Sequence, residues 1–420
     1  MTPGESLVTT GVAVRPAEPG DEVAGVAPRW VATPETTGEA ALVMRAAADH
    51  GLAVTPVGGG TKLSWGHPPA RCDLVLDTRR LARVLEHEAG DLVARVQAGI
   101  TADALAAALG AAGQRLALDF TTGGSTVGGA LATAAAGPGR LRHGTARDLL
   151  IGVTVVLADG TVARAGGKVV KNVAGYDLGK LFTGSLGTLG LITEATFRLH
   201  PLPTARAWIT ATSPGPGVVA AVARLATSPL EPSAIELDSP GVRAPVTVAA
   251  LVEGVAAGER AEDAARLLGD TARISADPPA WWGRLPGQAA PGAGPAGYLL
   301  ELRVPPAAAV TAPAAAGRAA GAAGLDAHIR GSAATCVLYA ALPPDTPPGA
   351  AEIFVTSLRT ELSAAGGRLV VWTAPPEAAR IDRFGPVGSA ALMRRVKERF
   401  DPEGRMSPGR LTGGAARAGA

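Results

Sequence analysis

The chain has 420 residues, more than one hydrophobic core usually serves, so two domains are expected. Its net charge is only +2 and its lysines and arginines form no run, which argues against nucleic acid as a partner. No stretch is long and apolar enough to span a bilayer, and the N-terminus lacks the pattern of a signal peptide. These features predict a cytoplasmic protein without a transmembrane segment.

The cysteine content limits the redox centres that the chain can carry. Cys72 and Cys336 lie far apart and indicate no disulfide framework. Cysteine-ligated iron–sulfur clusters usually need four thiolates, so this chain alone is not expected to hold one.

A glycine loop follows the first predicted helix and strand. Residues 1–27 carry little pattern and are expected to be a loose lead, and a helix is predicted from Thr33 to Gly51. The next strand, 52–57, runs into Gly58-Gly59-Gly60-Thr61-Lys62. This loop has neither the Walker A nor the GxGxxG spacing. Consecutive glycines can turn their N–H groups toward an anion, with an ordinary glycine turn as the alternative.

A second glycine-rich stretch predicts another anion site. Strands are predicted at 74–77, 92–96, 151–157, 161–165 and 196–199. Between them, Thr126 is expected to cap a helix from residue 127 to about 136, with Gly128 and Gly129 in its first turn. So many glycines suggest backbone packed close to a large flat ligand. Two candidate phosphate sites in one domain favour a pyrophosphate.

The character of the sequence changes after Thr204. Strands are predicted at 208–212, 235–238, 246–253, 298–304, 335–342 and 368–372. Helices are predicted at 217–226, 258–268, 306–320, 349–365 and 390–400. This order is typical of a βαβ-type α+β domain, and two related halves are a weaker hypothesis. The tail, 412–420, is expected to be disordered.

Four segments in order carry a family resemblance: the loop 58–62, GGSTVGGALAT at 123–133, RHGTARDLLIGVTVVLADG at 142–160 and GSLGTLGLITE at 184–194. Together they resemble the FAD-binding domain of the vanillyl-alcohol oxidase/p-cresol methylhydroxylase (PCMH) superfamily. Within it, the run KNVAGYDLGKL at 171–181 is similar to the FAD-binding E subunits of bacterial glycolate oxidases.

The resemblance implies an α+β fold. A PCMH-type FAD-binding domain of two α/β subdomains is expected at 28–203, and a smaller α+β ferredoxin-like cap domain for substrate or partner at 204–398. Segment 399–411 would return to the flavin domain. It contains DPEGRMSPGR, which resembles a signature ending in Asn-Pro-Gly-Arg, with Ser407 in place of the asparagine.

The resemblance also assigns FAD contacts. Backbone amides of the first loop would hold the pyrophosphate, at Val57, Gly58, Gly59, Gly60, Thr61 and Lys62. Below the flavin and the ribityl–phosphate chain would lie Thr122, Gly123, Gly124, Ser125, Thr126, Gly128, Gly129, Thr133 and Gly137. Near the ring or the adenine would lie Arg140, Arg142, His143 and Gly144. The adenosine would be covered by Gly187, Thr188, Gly190 and Ile192.

Two features of the superfamily are missing. Members that bind FAD covalently use a histidine or cysteine, commonly in the first loop, where this chain has Thr61, Lys62 and Ser64. The FAD is therefore expected to be non-covalent. Glycolate- and lactate-oxidising relatives carry a His-x-x-Gly-Asp-Gly-Asn-x-His-like motif in the second domain. Here only His328, in AHIRG, follows His200, so it is expected to be a loop histidine and no metal site is predicted.

The catalytic residues stay unassigned. Oxidation of a 2-hydroxy acid needs a base for the hydroxyl, a cation for the carboxylate and the flavin as hydride acceptor. His143 is the candidate base because it lies in a matched segment, with a structural role as the alternative. Arg140 and Arg142 could bind a carboxylate or reduced flavin, or face a partner.

Three functions follow from the resemblance. The leading prediction is the FAD-binding subunit of a glycolate oxidase complex that oxidises glycolate, a small 2-hydroxy acid, to glyoxylate. Its partners would be a second FAD-containing subunit and an iron–sulfur subunit, which would supply the missing histidines and cysteines and any attachment to the inner face of the membrane. The alternatives are a stand-alone FAD-linked oxidase of another alcohol or sugar, and a non-catalytic flavin electron relay.

Overall fold

The computed structural model describes residues 1–168, 176–213, 217–241, 244–288 and 297–411. The predicted disordered tail, 412–420, and the start of the run 171–181 lie outside these ranges. The chain forms two compact units. The first consists of 1–135, 145–202 and 387–420, and the second of 136–144 and 203–386.

The described ranges contain the following elements. The strands are β1 (Ala13–Pro16), β2 (Trp30–Thr33), β3 (Val54–Val57), β4 (Leu74–Asp77), β5 (Val84–Glu88), β6 (Val93–Gln97), β7 (Gln114–Arg115), β8 (Leu150–Val156), β9 (Val162–Gly166), β10 (Leu191–Arg198), β11 (His200–Pro201), β12 (Arg206–Ser213), β13 (Ala234–Ser239), β14 (Val246–Glu253), β15 (Arg273–Ser275), β16 (Tyr298–Arg303), β17 (His328–Ser332), β18 (Val337–Leu342) and β19 (Arg368–Thr373). The helices are α1 (Pro3–Val8), α2 (Thr37–Asp49), α3 (Ala102–Gly110), α4 (Val127–Thr133), α5 (Arg140–His143), α6 (Ala146–Leu149), α7 (Leu178–Phe182), α8 (Gly217–Ala226), α9 (Ala257–Leu268), α10 (Pro306–Ala309), α11 (Ala312–Ala323), α12 (Pro348–Ala364) and α13 (Ala390–Phe400). Short 3-10 helices lie at Ala89–Asp91 and Pro376–Ala378.

Two main sheets form the frame of the first unit. In the first sheet, β2, β4 and β3 are parallel and β1 adds an antiparallel edge, in the order β1-β2-β4-β3. The second sheet is antiparallel, in the order β5-β6-β10-β8-β9. Each sheet has its own hydrophobic cluster, with Met44 of α2 and Leu74 in one and Phe182 of α7 and Val153 in the other. The first unit therefore consists of two subdomains.

The N-terminal segment differs from the loose lead that its sequence suggested. Thr2 caps α1 in a reciprocal capping box with Glu5, and the side chain of Leu7 is fully buried. Strand β1 pairs with β2 over its whole length. Residues 3–16 are thus an ordered part of the first unit, and β1 belongs to its first sheet.

The second unit repeats a βαββαβ motif. The first copy runs from β12 to β15 and the second from β16 to β19. They share one sheet in the order β15-β12-β14-β13-β17-β18-β16-β19, joined where β13 pairs with β17. Each copy has the strand order of a ferredoxin-like motif, so the structure supports the hypothesis of two related halves and confirms the α+β class.

The two faces of this sheet differ in polarity. Leu237 and Leu300 point into one cluster with the helices, together with Leu225 and Phe354. Because side chains alternate along a strand, the neighbouring residues Asp238 and Glu301 lie on the opposite face. There Asp238 is opposite Arg330, Arg330 opposite Tyr339, and Tyr339 opposite Glu301. This row of buried polar side chains crosses the junction of the two halves.

The observed units differ from the expected boundaries in two short stretches. Residues 136–144 join the second unit, where Leu141 of α5 packs against the core. Helix α13 joins the first unit, because Phe400 packs edge-on against Phe182 with 5.6 Å between the ring centroids. Chain order alone does not show which core such a crossing segment joins.

Candidate cofactor site

A solvent-open cleft lies in the first unit, with about 780 Å³ of empty space when its open mouth is included. It is lined by the end of β3 with its glycine loop, by α4, by the segment leading into β10, and by the C-terminal segment. The predicted cofactor residues among its lining are Val57, Gly58, Gly59, Gly60, Thr61, Lys62, Thr126, Gly128, Gly129, Thr133, Gly187, Gly190 and Ile192. The fold thus brings three of the four predicted groups to one place.

The glycine loop packs directly against the stretch before α4. A Cβ on Gly59 would lie 1.9 Å from the carbonyl oxygen of Gly124, and one on Gly58 would lie 2.3 Å from Oγ1 of Thr126. Only glycine permits such an approach. The sequence attributed these glycines to a ligand, but the atoms that they approach belong to the chain itself. Gly60, with φ +71° and no atom within 4 Å of its Cβ position, faces open space.

Lys62 is a buried cation in the wall of the cleft, with 8% of its surface exposed. Its Nζ donates a hydrogen bond to Oγ of Ser125 at 2.9 Å and lies 5.9 Å from the ring centre of Trp65. Within the described ranges no carboxylate pairs with it. Burial lowers the pKa of this amine to about 8. A buried ammonium with only neutral partners is suited to an anionic ligand.

Helix α4 begins as predicted but ends sooner. Oγ1 of Thr126 accepts a hydrogen bond from the N–H of Gly129, and the helix stops at Thr133 because Ala134 is left-handed, with φ +52°. A Cβ on Gly128 would lie 2.9 Å from that of Ala98. The small residues of α4 therefore allow the helix to pack closely against Ala98, which follows β6, and they also line the cleft.

The segment before β10 forms the opposite wall. Oγ of Ser185 lies in this wall, is fully buried and has no hydrogen-bond partner in the described part of the chain. Such an orphaned hydroxyl indicates a polar ligand group in the cleft. Thr188, a predicted contact, does not line the cleft, because its hydroxyl donates to the carbonyl of Ser185 and its own carbonyl accepts from Lys397.

The C-terminal segment contributes Arg410 to the lining of the cleft. Nη2 of Arg410 donates to the carbonyl oxygens of Leu63 and Trp65, at 2.9 and 2.6 Å, and its side chain lines the cleft. Ser407, at the position where the superfamily signature has asparagine, is fully buried with φ +40°. Its Oγ has no hydrogen-bond partner among the described residues. Arg410 was not among the predicted site residues.

The remaining predicted cofactor residues lie outside the cleft lining. Ser125 stands behind the loop and holds Lys62, with Thr122 accepting a hydrogen bond from Ser125 in turn. Gly123 and Gly124 belong to the same supporting turn. Gly137, Arg140, Arg142, His143 and Gly144 all belong to the second unit.

All three candidate catalytic residues, Arg140, Arg142 and His143, belong to the second unit, and carboxylates lie near two of them, Arg142 and His143. Arg142 is 43% exposed, with Nη1 3.7 Å from the carboxylate of Glu231. Nε2 of His143 lies 4.0 Å from the carboxylate of Glu253, which also pairs with Arg206. These contacts are in keeping with structural roles, and they assign no catalytic role to either residue.

His328 is a strand residue, whereas the sequence suggested a loop. It begins β17, and its Nε2 lies 2.7 Å from Oδ1 of Asp238, which also accepts from Nε of Arg330 at 2.7 Å. Arg330 in turn lies over the ring of Trp281, 5.6 Å from its centre. In the described ranges no group of three histidine, cysteine or acidic residues could hold a metal ion.

Comparisons with known proteins agree with the fold and the cleft. The fold is shared with p-cresol methylhydroxylase in its substrate complex, with a TM-score of 0.70 at 18% identity over 97% of this chain and 92% of that one. Residues 28–166 match the family described as FAD binding domain. The chain therefore contains an FAD-binding domain with a fold of the PCMH type, and FAD is its cofactor.

Curated relatives match part of the chain. The glycolate oxidase subunit GlcD of Bacillus subtilis (strain 168) is 38% identical over 177 residues, 42% of this chain and 38% of that protein. The D-lactate dehydrogenase of Archaeoglobus fulgidus is 38% identical over 171 residues, 41% of this chain and 38% of that protein. The chain thus spans well under half the length of either relative. No helix in the described ranges is long and apolar enough to cross a membrane.

The residues of the cleft fit FAD. Its glycine loop, its buried ammonium and its orphaned hydroxyl offer amides, charge and a hydrogen bond to a large polar ligand. Sequence reasoning missed several lining residues, namely Thr55, Pro56, Leu63, Thr78, Ala132, Ser185, Leu186, Leu191 and Arg410. For Ser185 and Arg410 a signal existed, because both lie in segments that carried the resemblance.

Proposed function

We propose that this chain is an FAD-dependent oxidoreductase of the 2-hydroxy-acid dehydrogenase type, acting as the FAD-binding subunit of a glycolate oxidase complex. The observation that carries the proposal is the cleft, in which the glycine loop, α4 and the segment before β10 meet. The similarity to GlcD and to a D-lactate dehydrogenase supports hydroxy-acid chemistry.

In this proposal the predicted residues divide into two tasks. The amides of residues 57–62 and the ammonium of Lys62 hold the pyrophosphate, and Thr126, Gly128, Gly129 and Thr133 lie along the cofactor. Gly187, Gly190 and Ile192 cover its adenosine part, with the hydroxyl of Ser185 as an additional hydrogen-bond donor. Thr122, Gly123, Gly124, Ser125 and Thr188 support these contacts from behind. The catalytic base stays unassigned.

The bound flavin supplies a hydride acceptor. The chain's own contribution is to fix the cofactor, for which the buried amine of Lys62 and the buried hydroxyl of Ser185 offer a charge and a hydrogen bond. The first loop has Thr61, Lys62 and Ser64 in place of a histidine or cysteine, which supports non-covalent attachment.

The proposed partners are a second FAD-containing subunit and an iron–sulfur subunit. Two observations support an incomplete electron pathway in this chain: it has only two cysteines, and the described ranges contain no metal-ligating group. The complex would act in the cytoplasm, with any membrane attachment made through partners.

The test starts from the purified full chain. We expect a flavin absorption spectrum, and acid precipitation should release the FAD into the supernatant. Anaerobic glycolate or D-lactate should bleach the flavin once the partner subunits are present. A purified chain without flavin would contradict the proposal that this protein is an FAD-dependent oxidoreductase. Oxygen-dependent turnover by the isolated chain would favour a stand-alone oxidase, and bound flavin that neither substrate bleaches would favour a non-catalytic electron relay.

A further inference from the structure

The cleft carries positive charge without a compensating acid. Lys62 and Arg410 are the charged residues of its lining. Helix α4 and segment 185–192, which form the other walls, contain no titratable side chain. Asp77 is the acidic residue next to the lining residue Thr78 in the sequence, and its carboxylate forms an ion pair with Arg79 at 2.6 Å. An anionic ligand would thus meet two cations and no carboxylate.

The surroundings of Lys62 make its proton sensitive to such a ligand. The hydroxyl of Ser125 accepts its hydrogen bond and donates its own proton to the carbonyl of Thr122, so the acceptor stays neutral. The ring of Trp65 lies nearby but carries no charge. Burial alone disfavours the ammonium and lowers its pKa to about 8.

We propose that Lys62 is the counter-charge of the cofactor's diphosphate, so that FAD binding holds a proton on this amine and weakens as the solution becomes alkaline. The inference rests on the proposed placement of the pyrophosphate against loop 57–62. The ligand class is any diphosphate-bearing nucleotide, which includes ADP as well as FAD. Arg410 keeps its charge throughout the range and contributes attraction without pH dependence.

The direction of the pH dependence follows from the coupling between proton binding and ligand binding. The empty site loses the Lys62 proton near pH 8, whereas a site that holds a diphosphate retains it to higher pH. Above pH 8 the empty site must therefore take up a proton when the ligand binds. Affinity then falls with rising pH, by about tenfold between pH 7 and pH 9.

The experiment is titration calorimetry of FAD into the apo form of the full chain at pH 7 and pH 9. Each titration is repeated in two buffers of different ionisation enthalpy, which reports the protons taken up. We expect the wild-type Kd to rise about tenfold and proton uptake to approach one at pH 9. ADP should show the same dependence, and riboflavin, which has no phosphate, should show none.

Two variants and a control assign the effect to Lys62. Lys62→Met should bind FAD more weakly at pH 7 and with no dependence on pH. Lys62→Arg should bind FAD with no dependence on pH, because a guanidinium stays charged. Lys180→Met removes a lysine that is 56% exposed and should behave like the wild type.

The outcomes separate the inference from the proposed function. A wild-type Kd that is equal at pH 7 and pH 9 overturns the inference while leaving FAD binding intact, and so does a full pH dependence in Lys62→Met or Lys62→Arg. A wild-type chain that binds no FAD at either pH overturns the proposed function as well. If Lys62→Met does not fold, as thermal melting would show, the Lys62→Arg titration still decides the question.

Discussion

Replacing Gly59 by alanine tests whether the glycine loop depends on contact with its own chain. The added Cβ would lie 1.9 Å from the carbonyl oxygen of Gly124, whereas ordinary contacts begin at 3.4 Å. Relief of this overlap requires a displacement of about 1.5 Å, the difference between those two distances. Both sides are backbone, so no side-chain rotation can provide it. The loop must separate from the turn at 122–125.

The expected cost follows from overpacking in a tight site. Inserted methyl groups typically cost about 1–3 kcal/mol, and backbone on both sides places Gly59→Ala at the upper end. About 3 kcal/mol corresponds to roughly a hundredfold in an equilibrium constant, and to a melting temperature lowered by about 6–12 °C in a unit of this size. The displacement would also stretch the hydrogen bond between Lys62 and Ser125, now 2.9 Å long.

The assay measures thermal melting and the FAD content of the purified variant. Gly90→Ala is the matched control, because its Cβ position has no atom within 4 Å and its φ is not left-handed. We expect wild-type melting and FAD content in Gly90→Ala, and loss of both in Gly59→Ala. Wild-type FAD content and melting in Gly59→Ala would refute the view that loop packing demands this glycine.

Three further predictions concern single side chains. Ser185→Ala should weaken FAD binding about fivefold to tenfold without lowering apo stability, since its buried hydroxyl has no protein partner to lose; calorimetry and melting check this, and a destabilised apo form would contradict it. Asp401→Ala should cost about 3–5 kcal/mol, because it leaves the half-buried ammonium of Lys397 without its carboxylate and the buried N–H groups of Arg405 and Met406 without their acceptor; a melting temperature within a degree of the wild type would show that these contacts are unimportant. Burial raises the pKa of Asp238, but the hydrogen bonds from His328 and Arg330 lower it by more, so the pKa of this carboxyl in the folded protein is depressed. The ionised carboxylate therefore stabilises the fold above about pH 4, and this stabilisation is lost as the pH falls below that value. Asp238→Asn should abolish that acid-side loss in melting curves, and an unchanged acid limb would assign it to other groups.

The sequence predicted correctly those helices and strands whose pattern of apolar residues lies within the segment itself. Strand β4 and helix α13 begin and end at the predicted residues, because apolar runs and helix periodicity are properties of the segment itself. Strand β17 was missed, since its residues His328, Arg330 and Ser332 are polar. They are buried only because Asp238 of β13 and the carbonyl of Ile235 pair with them from the other half of the sheet. No window of the sequence shows that pairing.

Contacts between segments distant in sequence were likewise not predictable for the cofactor site. Consecutive glycines and the cap at Thr126 indicated the loop and α4 correctly, but their spacing could not show that Gly58 and Gly59 approach Thr126 and Gly124. The hydrogen bond between Arg410 and Leu63 spans 347 residues of sequence. The family resemblance placed this C-terminal segment near the flavin domain, whereas the role of its arginine required coordinates.

The C-terminal segment packs beside β3, the strand from which the glycine loop begins. The N–H of Val54 donates to the carbonyl of Arg405, and the N–H of Ser407 donates to the carbonyl of Val54, so the segment extends the first sheet beyond β3. Strand β3 is thereby held between β4 on one side and the end of the described chain on the other. The glycine loop leaves β3 at this point, and Arg410 binds two carbonyls at its far end. Contacts so distant in sequence are slow to form in folding. The phosphate loop should therefore reach its final geometry only after the C-terminal segment has docked beside β3, and a chain cut after Phe400 should retain its helices and sheets but lose FAD.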